Sequence, residues 1–378
     1  MSHKVLQLCL SKGAGGLEVY LARVIDGLQK DGWQVYGVAL HETRIETYMQ
    51  DAGIEFKAFG SQWQALASAY TLIRWMKRED IQVVHCHKSS DLRLTALMKL
   101  LWPKLRVFYT DHVGSKRPKK DPFHRLAYGQ LDRVLSISDE TRSRNVNALP
   151  LSSLRVTRLH HGIEVDQWPP LPDQADRRAL LDELHIPAEV HTICLPARVA
   201  PGKGHEVWID ALARLPADVP WHGVILGGTT WSQGGDEAYV AKLETQIKAL
   251  GLRERITFTG HRSDLRRLLP AFDMLCIPSR NEAFGLTVIE SMASGRPVIG
   301  SNSGAIPELL AGDNGLLVQY DDPNAWATGM TQLLLDPEAA EALGLRGRKR
   351  AELNFSQAQH VEKLGQLYSG QAAFGEVL

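Results

Sequence analysis

Apolar runs of strand length alternate with helix-periodic segments along almost all of this chain, and the connections between them are short. In the first half the runs are 5–10, 33–40, 55–59, 81–86, 105–110, 133–137 and 154–159, with helical spacing over 17–29, 63–77 and 92–101. Such alternation implies parallel strands wrapped by helices on both faces, because parallel neighbours need a long crossover. The pattern restarts after Pro169-Pro170-Leu171-Pro172, with runs at 192–196, 223–226, 256–258 and 272–277. A chain of 378 residues also exceeds the size at which a single core keeps growing. The expectation is an α/β protein with two doubly wound, Rossmann-like parallel-sheet domains, 1–170 and 171–355, and a last helical segment, 356–378.

Ligands of such sheets bind beyond the carboxyl ends of the strands, so the residues after each apolar run carry the functional reading. After 272–277 come Pro278-Ser279-Arg280 and then Asn281-Glu282-Ala283-Phe284-Gly285-Leu286-Thr287-Val288-Ile289-Glu290. Val288, Ile289, Met292 and Ala293 recur at helical spacing, which predicts a helix starting near Phe284-Gly285-Leu286. Its first turn offers unpaired N–H groups and a partial positive charge, both suited to a phosphate. Glu282 before the helix and Glu290 inside it are carboxylates, which accept hydrogen bonds from hydroxyls. Hydroxyl, phosphate, hydroxyl is the layout of a nucleotide-sugar. Two surface acids at a helix start, where acids are favoured anyway, are the plain alternative. Arg198 and Lys203, flanked by Gly202 and Gly204 after the run 192–196, make a credible clamp for a diphosphate.

The stretch from Glu282 to Glu290 resembles the E-x7-E signature of the retaining glycosyltransferases of family 4, and Arg198 to Gly204 resembles that family's Arg-x4-Lys-Gly segment. The resemblance covers most of the chain. It implies the GT-B architecture, two domains facing across a cleft, with the final segment crossing back to the first. It places the donor mainly on the second domain: Glu290 on the ribose hydroxyls, the Leu286 helix start on the diphosphate, and Arg198 and Lys203 on the departing charge. Glu282 with Ala283, Phe284 and Gly285 would hold the sugar. Gly228, and His261 and Arg262 along the nucleotide base, complete the donor-binding set. In the first domain Gly15 and Gly16 match the family's Gly-Gly loop, and His112 matches a histidine that hydrogen-bonds the donor sugar. Glu282, His112, Arg198 and Lys203 are the catalytic candidates. His161 and Glu164 depart from the family's usual Asn-Gly-Ile/Val-Asp.

The implied reaction moves a hexose from a nucleoside-diphosphate sugar, UDP by family frequency, to a hydroxyl with retention. The acceptor would be a glycan or glycolipid such as a lipopolysaccharide core or cell-surface polysaccharide. No Asp-x-Asp occurs in the sequence, so neither metal nor cofactor is expected. A nucleotide-sugar epimerase could use the same layout, and a catalytically silent scaffold could keep the fold. A nicotinamide oxidoreductase is disfavoured, because Glu18 stands where the third glycine of Gly13-Ala14-Gly15-Gly16-Leu17-Glu18 should be. His85-Cys86-His87 is weak evidence for a metal, since no carboxylate cluster accompanies it.

Charge is balanced overall, yet residues 1–170 hold 24 basic against 17 acidic side chains and the remainder 19 against 26. The loop Lys116-Arg117-Pro118-Lys119-Lys120 lies in the basic half. It predicts peripheral contact with an anionic membrane surface without insertion, and no nucleic-acid partner. No apolar stretch approaches the ~18 residues that would span a bilayer, and the chain opens into a strand rather than a signal peptide, so the expected location is the cytoplasm. Cys9, Cys86, Cys194 and Cys276 each sit in an apolar run and read as reduced core residues.

Overall fold

A computed structural model describes residues 3–13, 15–169, 171–187 and 189–371. Ala14 of the glycine loop, Pro170 of the expected linker and residues 372–378 of the expected final segment lie outside the described residues.

The first unit holds seven strands: β1 (Lys4–Leu8), β2 (Gln34–Leu40), β3 (Glu55–Phe59), β4 (Val83–Cys86), β5 (Arg106–Asp111), β6 (Arg133–Ser136) and β7 (Val156–Arg158). They pair in parallel in the order β3-β2-β1-β4-β5-β6-β7, with Leu6 opposite Tyr36 on one side and Val84 on the other. Successive residues of a strand point to opposite faces. Hence Val5 and Cys9 enter one core, with Leu21 and Val24, and Leu6 and Leu8 the other, with Leu72 and Met76. The second unit has β8 (His191–Leu195), β9 (Trp221–Leu226), β10 (Ile256–Gly260), β11 (Met274–Ile277), β12 (Val298–Ser301) and β13 (Leu316–Val318), in the order β10-β9-β8-β11-β12-β13. Each order reverses once, between β1 and β4 and between β8 and β11. At such a reversal the following loops run to opposite faces and leave a crevice.

Two details differ from the sequence expectation. The helical stretch 63–77 is two helices, Gln62–Ala67 and Ala69–Arg78. They meet at Ser68, whose N–H closes the first on Gln64 O while its carbonyl accepts from Leu72 N in the second. The unit boundary also falls earlier than the proline stretch: residues up to Gly162 and from Gln357 onward form one unit, and Ile163–Ser356 the other. The segment after Gly162 is held by the second unit. Ile163 N–H donates to Phe355 O at 2.9 Å, Trp168 is buried, and Arg348 donates to Trp168 O and Pro169 O at 3.1 and 3.0 Å. Pro169 and Pro172 therefore lie inside the second unit.

The final helix, Gln357–Ser369, lies against the helix Gly16–Lys30 of the first unit. A Cβ on Gly27 would come within 2.6 Å of Val361 Cγ2, so that contact needs glycine. The four cysteines are buried and free.

Candidate functional site

At the reversal in the second unit, the loop after β8 carries Lys203 between two glycines with left-handed backbone, Gly202 at φ +85° and Gly204 at φ +78°. A Cβ on Gly204 would lie 2.3 Å from Pro278 O, and Arg280 N–H donates to Gly202 O at 2.8 Å. The loops after β8 and β11 are thus locked backbone to backbone. This lock brings Lys203 Nζ to 2.8 Å from Glu282 Oε2, both side chains about a quarter exposed (26% and 23%). The sequence reading gave these residues separate tasks, on phosphate and on sugar; the structure shows them as one ion pair. An ammonium has three donors, so Lys203 can hold Glu282 and still offer N–H groups to an anion.

Glu282 is fixed from behind. Asn281, at φ +56°, donates its N–H to Ser303 Oγ at 2.9 Å, and Glu282 O accepts from Ala305 N at 2.9 Å. Gly304 fits because a Cβ there would lie 2.3 Å from Glu282 O. Ser303 and Gly304 are therefore positioning residues to which the sequence gave no task. The helix Leu286–Ala293 starts from Gly285 at φ +99°, and no side chain caps it. Val288 N–H turns back to Gly285 O at 2.9 Å, and the N–H groups before it are the ones a helix start can offer to an anion. Glu290, half-buried, is its fifth residue, about 6 Å along the axis from Leu286 at ~1.5 Å per residue. Phe284 packs inward beneath this turn, 6.5 Å from Phe355.

Arg198 is exposed and donates to Gly234 O at 3.3 Å. The loop after β9 lies directly on the loop that carries it, since a Cβ on Gly227 would meet Ala197 O at 2.0 Å, and it folds tightly on itself, since one on Gly228 would meet Gln233 O at 2.3 Å. His261 is exposed at the end of β10. Arg262 is engaged elsewhere. Its guanidinium donates to both carboxylate oxygens of Asp264 at 2.8 Å and to Glu183 Oε1 at 2.6 Å, and Arg267 joins the same two acids. These bonds hold the Asp264 carboxyl well below its usual range. A base contact by the Arg262 side chain would have to break them.

The first unit's reversal is chemically different. Glu18 is buried and accepts from Ser11 Oγ and from Gly15 N–H, both at 2.7 Å, closing the glycine loop and capping the helix Gly16–Lys30. Around Tyr20 lie the rings of His87, His112, His161 and His360, with centroids 4.2 to 5.7 Å away, and His85 stands 4.2 Å from His87. His85 bonds Tyr368 OH and Thr110 Oγ1, His87 bonds Gln7 Oε1 at 2.8 Å, and His360 bonds Tyr20 OH at 3.0 Å. Burial drives these imidazoles well below their ordinary range, His112 to about 3 and His360 to about 4, so all are neutral near pH 7. His112 follows β5, and its buried Nε2 has no hydrogen-bond partner among the described residues. His85 and His87 are packed members of this network. Tyr20 and His360 carried no sequence signal, whereas His161 carried one, its departure from the family's asparagine.

Two family descriptions match the chain: Glycosyltransferase Family 4 over residues 14–167 and Glycosyl transferases group 1 over residues 176–350. A D-inositol 3-phosphate glycosyltransferase of Corynebacterium glutamicum (strain R) is 33% identical, covering 95% of this chain and 93% of its own. The lipopolysaccharide core biosynthesis mannosyltransferase LpsB of Rhizobium meliloti (strain 1021) is 27% identical over 79% of this chain and 82% of its own. Among solved structures, Anabaena HepE in complex with UDP superposes with a TM-score of 0.82 at 21% identity, covering 97% of this chain and 100% of that one.

Proposed function

The chain belongs to the glycosyltransferases of family 4 and has their GT-B fold, and from that premise we propose that it moves a hexose from a UDP-sugar to a hydroxyl of a glycan or glycolipid, with retention and without a metal. The observation that carries the reading is the Lys203–Glu282 pair beside the uncapped start of the helix Leu286–Ala293. The diphosphate lies against that helix start, neutralised by Lys203 and by Arg198 from the same loop. Glu290 accepts from the ribose hydroxyls. Glu282, oriented by Lys203, accepts from the sugar hydroxyls, and the Phe284 and Gly285 amides complete the cradle. Nearby, Gly228, packed on Gln233 in the loop beside Arg198, belongs to the donor-binding set, and His261 and the Arg262 backbone follow the base. In the first unit, His112 Nε2 and the loop of Gly15 and Gly16 are the groups offered to substrate.

In the reaction the acceptor oxygen attacks the anomeric carbon from the face the leaving group departs. The bond from carbon to β-phosphate oxygen breaks, and that phosphate oxygen takes the acceptor proton. Arg198, Lys203 and the helix amides stabilise the charge as it develops, the largest contribution such a site can make. UDP is supported by family frequency and by the HepE complex with UDP. A lipopolysaccharide-core or other glycolipid acceptor is supported by the likeness to LpsB. An inositol phosphate acceptor is the second reading, supported by the Corynebacterium relative of higher identity. A thermal-shift screen of nucleotide-sugars should show stabilisation by a UDP-hexose, and Glu290→Ala should abolish it. A full shift in that variant would remove the donor site proposed here.

A further inference from the structure

The helix Gly16–Lys30 and the last helix, Gln357–Ser369, are joined by a hydrogen bond whose direction follows from chemistry. His360 Nδ1 lies 2.6 Å from His160 O, and a carbonyl oxygen only accepts, so Nδ1 carries the ring proton. Burial holds this imidazole neutral near pH 7, its pKa lowered to about 4, and Nε2 is therefore a bare acceptor. It takes the Tyr20 O–H at 3.0 Å. The one proton of that hydroxyl is thereby spent. Tyr20 and His360 are both buried, where a hydroxyl without its partner is costly. Tyr20 is thus pinned at its oxygen by a side chain 340 positions away.

The pinned ring forms a wall. Tyr20 stands at 69° to the His112 ring with centroids 4.9 Å apart, and His161 stacks on His112 at 5.3 Å and 28°. His161 is itself 4.2 Å from Tyr20, so the three rings close on one another. A histidine is commonly oriented by a hydrogen bond through one ring nitrogen, which leaves the other for chemistry. His85 and His87 of the same cluster are held by such bonds, to Tyr368 and Thr110 and to Gln7. His112 is held differently. Its Nε2 is buried without a hydrogen-bond partner among the described residues, and two rings fix the plane of the imidazole. In a close-packed cluster such a ring turns only when its neighbours give way. Orientation by packing leaves Nε2 unspent.

We propose that Tyr20 and His360 are positioning residues for the reaction: His360 fixes Tyr20, and Tyr20 with His161 holds the His112 ring at the angle at which its Nε2 meets substrate. The proposal rests on the donor reading above, in which His112 is offered to substrate. Neither Tyr20 nor His360 touches a reacting atom. The last helix is then a part of the site as well as a packing element, because it supplies the acceptor that pins Tyr20.

The test has two readouts. In nitrogen NMR spectra of the imidazoles of the full chain, without ligand, His360 should show a protonated Nδ1 and a bare Nε2. Tyr20→Leu and His360→Leu should shift or broaden the His112 signals. His360→Gln, whose amide can serve both His160 O and Tyr20 O–H, should leave them in place. The second readout is UDP release from the UDP-hexose that stabilises the parent most. Both leucine variants should lower kcat at least about tenfold with the donor KM within about twofold, since misplacing a reacting group costs rate rather than donor binding. Tyr20→Phe and His360→Gln, which keep the ring or the bonds, should retain kcat within about threefold. Added to His112→Ala, Tyr20→Leu should cause no further fall, because both act through one ring. His112 signals unchanged in both leucine variants would overturn the proposal. So would parent-like kcat in a leucine variant that only melts earlier, or an undiminished effect of Tyr20→Leu in the His112→Ala background. UDP should raise the Tm of every variant as it does the parent's. A parent that UDP does not stabilise would fail the donor reading, while the spectra decide the ring lock without any ligand.

Discussion

The two strand-order reversals are built alike and equipped differently. At the second unit's reversal between β8 and β11, glycines with positive φ bring two loops into backbone contact, and the side chains presented are a quarter-exposed cation–anion pair. Beyond the strands at the first unit's reversal, between β1 and β4, the loop is closed by a buried glutamate, and the side chains are neutral imidazoles packed on a tyrosine. The contrast follows from burial. An ion pair left in contact with water can balance a diphosphate, whereas imidazoles taken out of water lose their charge and remain hydrogen-bonding groups for uncharged partners.

The largest expected effect breaks the charged side. Lys203→Ala removes the cation and leaves Glu282 with an unpaired charge, so kcat should fall about 10²–10³-fold, the range for losing one donor to developing charge. Steady-state kinetics would show it, and a fall in affinity alone would mean that Lys203 acts before the chemistry.

The neutral side is broken by acid. His360 has its folded pKa lowered to about 4 by burial, below its unfolded value near ~6.5, so the unfolded chain binds the extra proton in between. Stability from this group is present above pH ~6.5 and is lost as pH falls toward 4. His360→Gln should flatten that slope by up to about 1.4 kcal/mol per pH unit in denaturant titrations. Asp91 runs the other way. It is buried at the first unit's reversal, accepts from Leu10 N–H at 3.1 Å, and is pushed up to about 7 by desolvation. Its contribution is lost as pH rises from ~4 to about 7, and Asp91→Asn should remove that loss.

The smallest effect sharpens the boundary of the charged site. Arg262→Ala removes a partly exposed member of an ion-pair cluster, so stability should change by no more than about 1 kcal/mol. Donor affinity should stay within about twofold, since that side chain is already held by Asp264 and Glu183. A tenfold weaker donor, measured by calorimetry, would show that the Arg262 side chain meets the base as well as its backbone.

Much of the site was legible because strand ends are local features. Arg198, Lys203, Glu282 and Glu290 each stand just beyond an apolar run or inside the helix that follows. What was not legible is of another kind. Arg262 stands after β10 as expected, but nothing local signals that Glu183, 79 positions earlier, holds its side chain. The prolines at 169 and 172 look like a joint, yet Arg348 and Phe355 bind their neighbourhood to the second unit.

Periodicity, glycine placement and the spacing of charged residues after strands determined by themselves that this chain builds two parallel sheets and sets two acids, Glu282 and Glu290, about one helix start. Those signals act over a few residues, through backbone sterics and the alternation of side chains. Only the tertiary structure decided that Lys203 is paired with Glu282, that Tyr20 and His360 meet across 340 positions, and that Trp63 and Phe123 flank one groove. Those contacts depend on strand order and on which helix covers which face, and no local pattern in the chain encodes either.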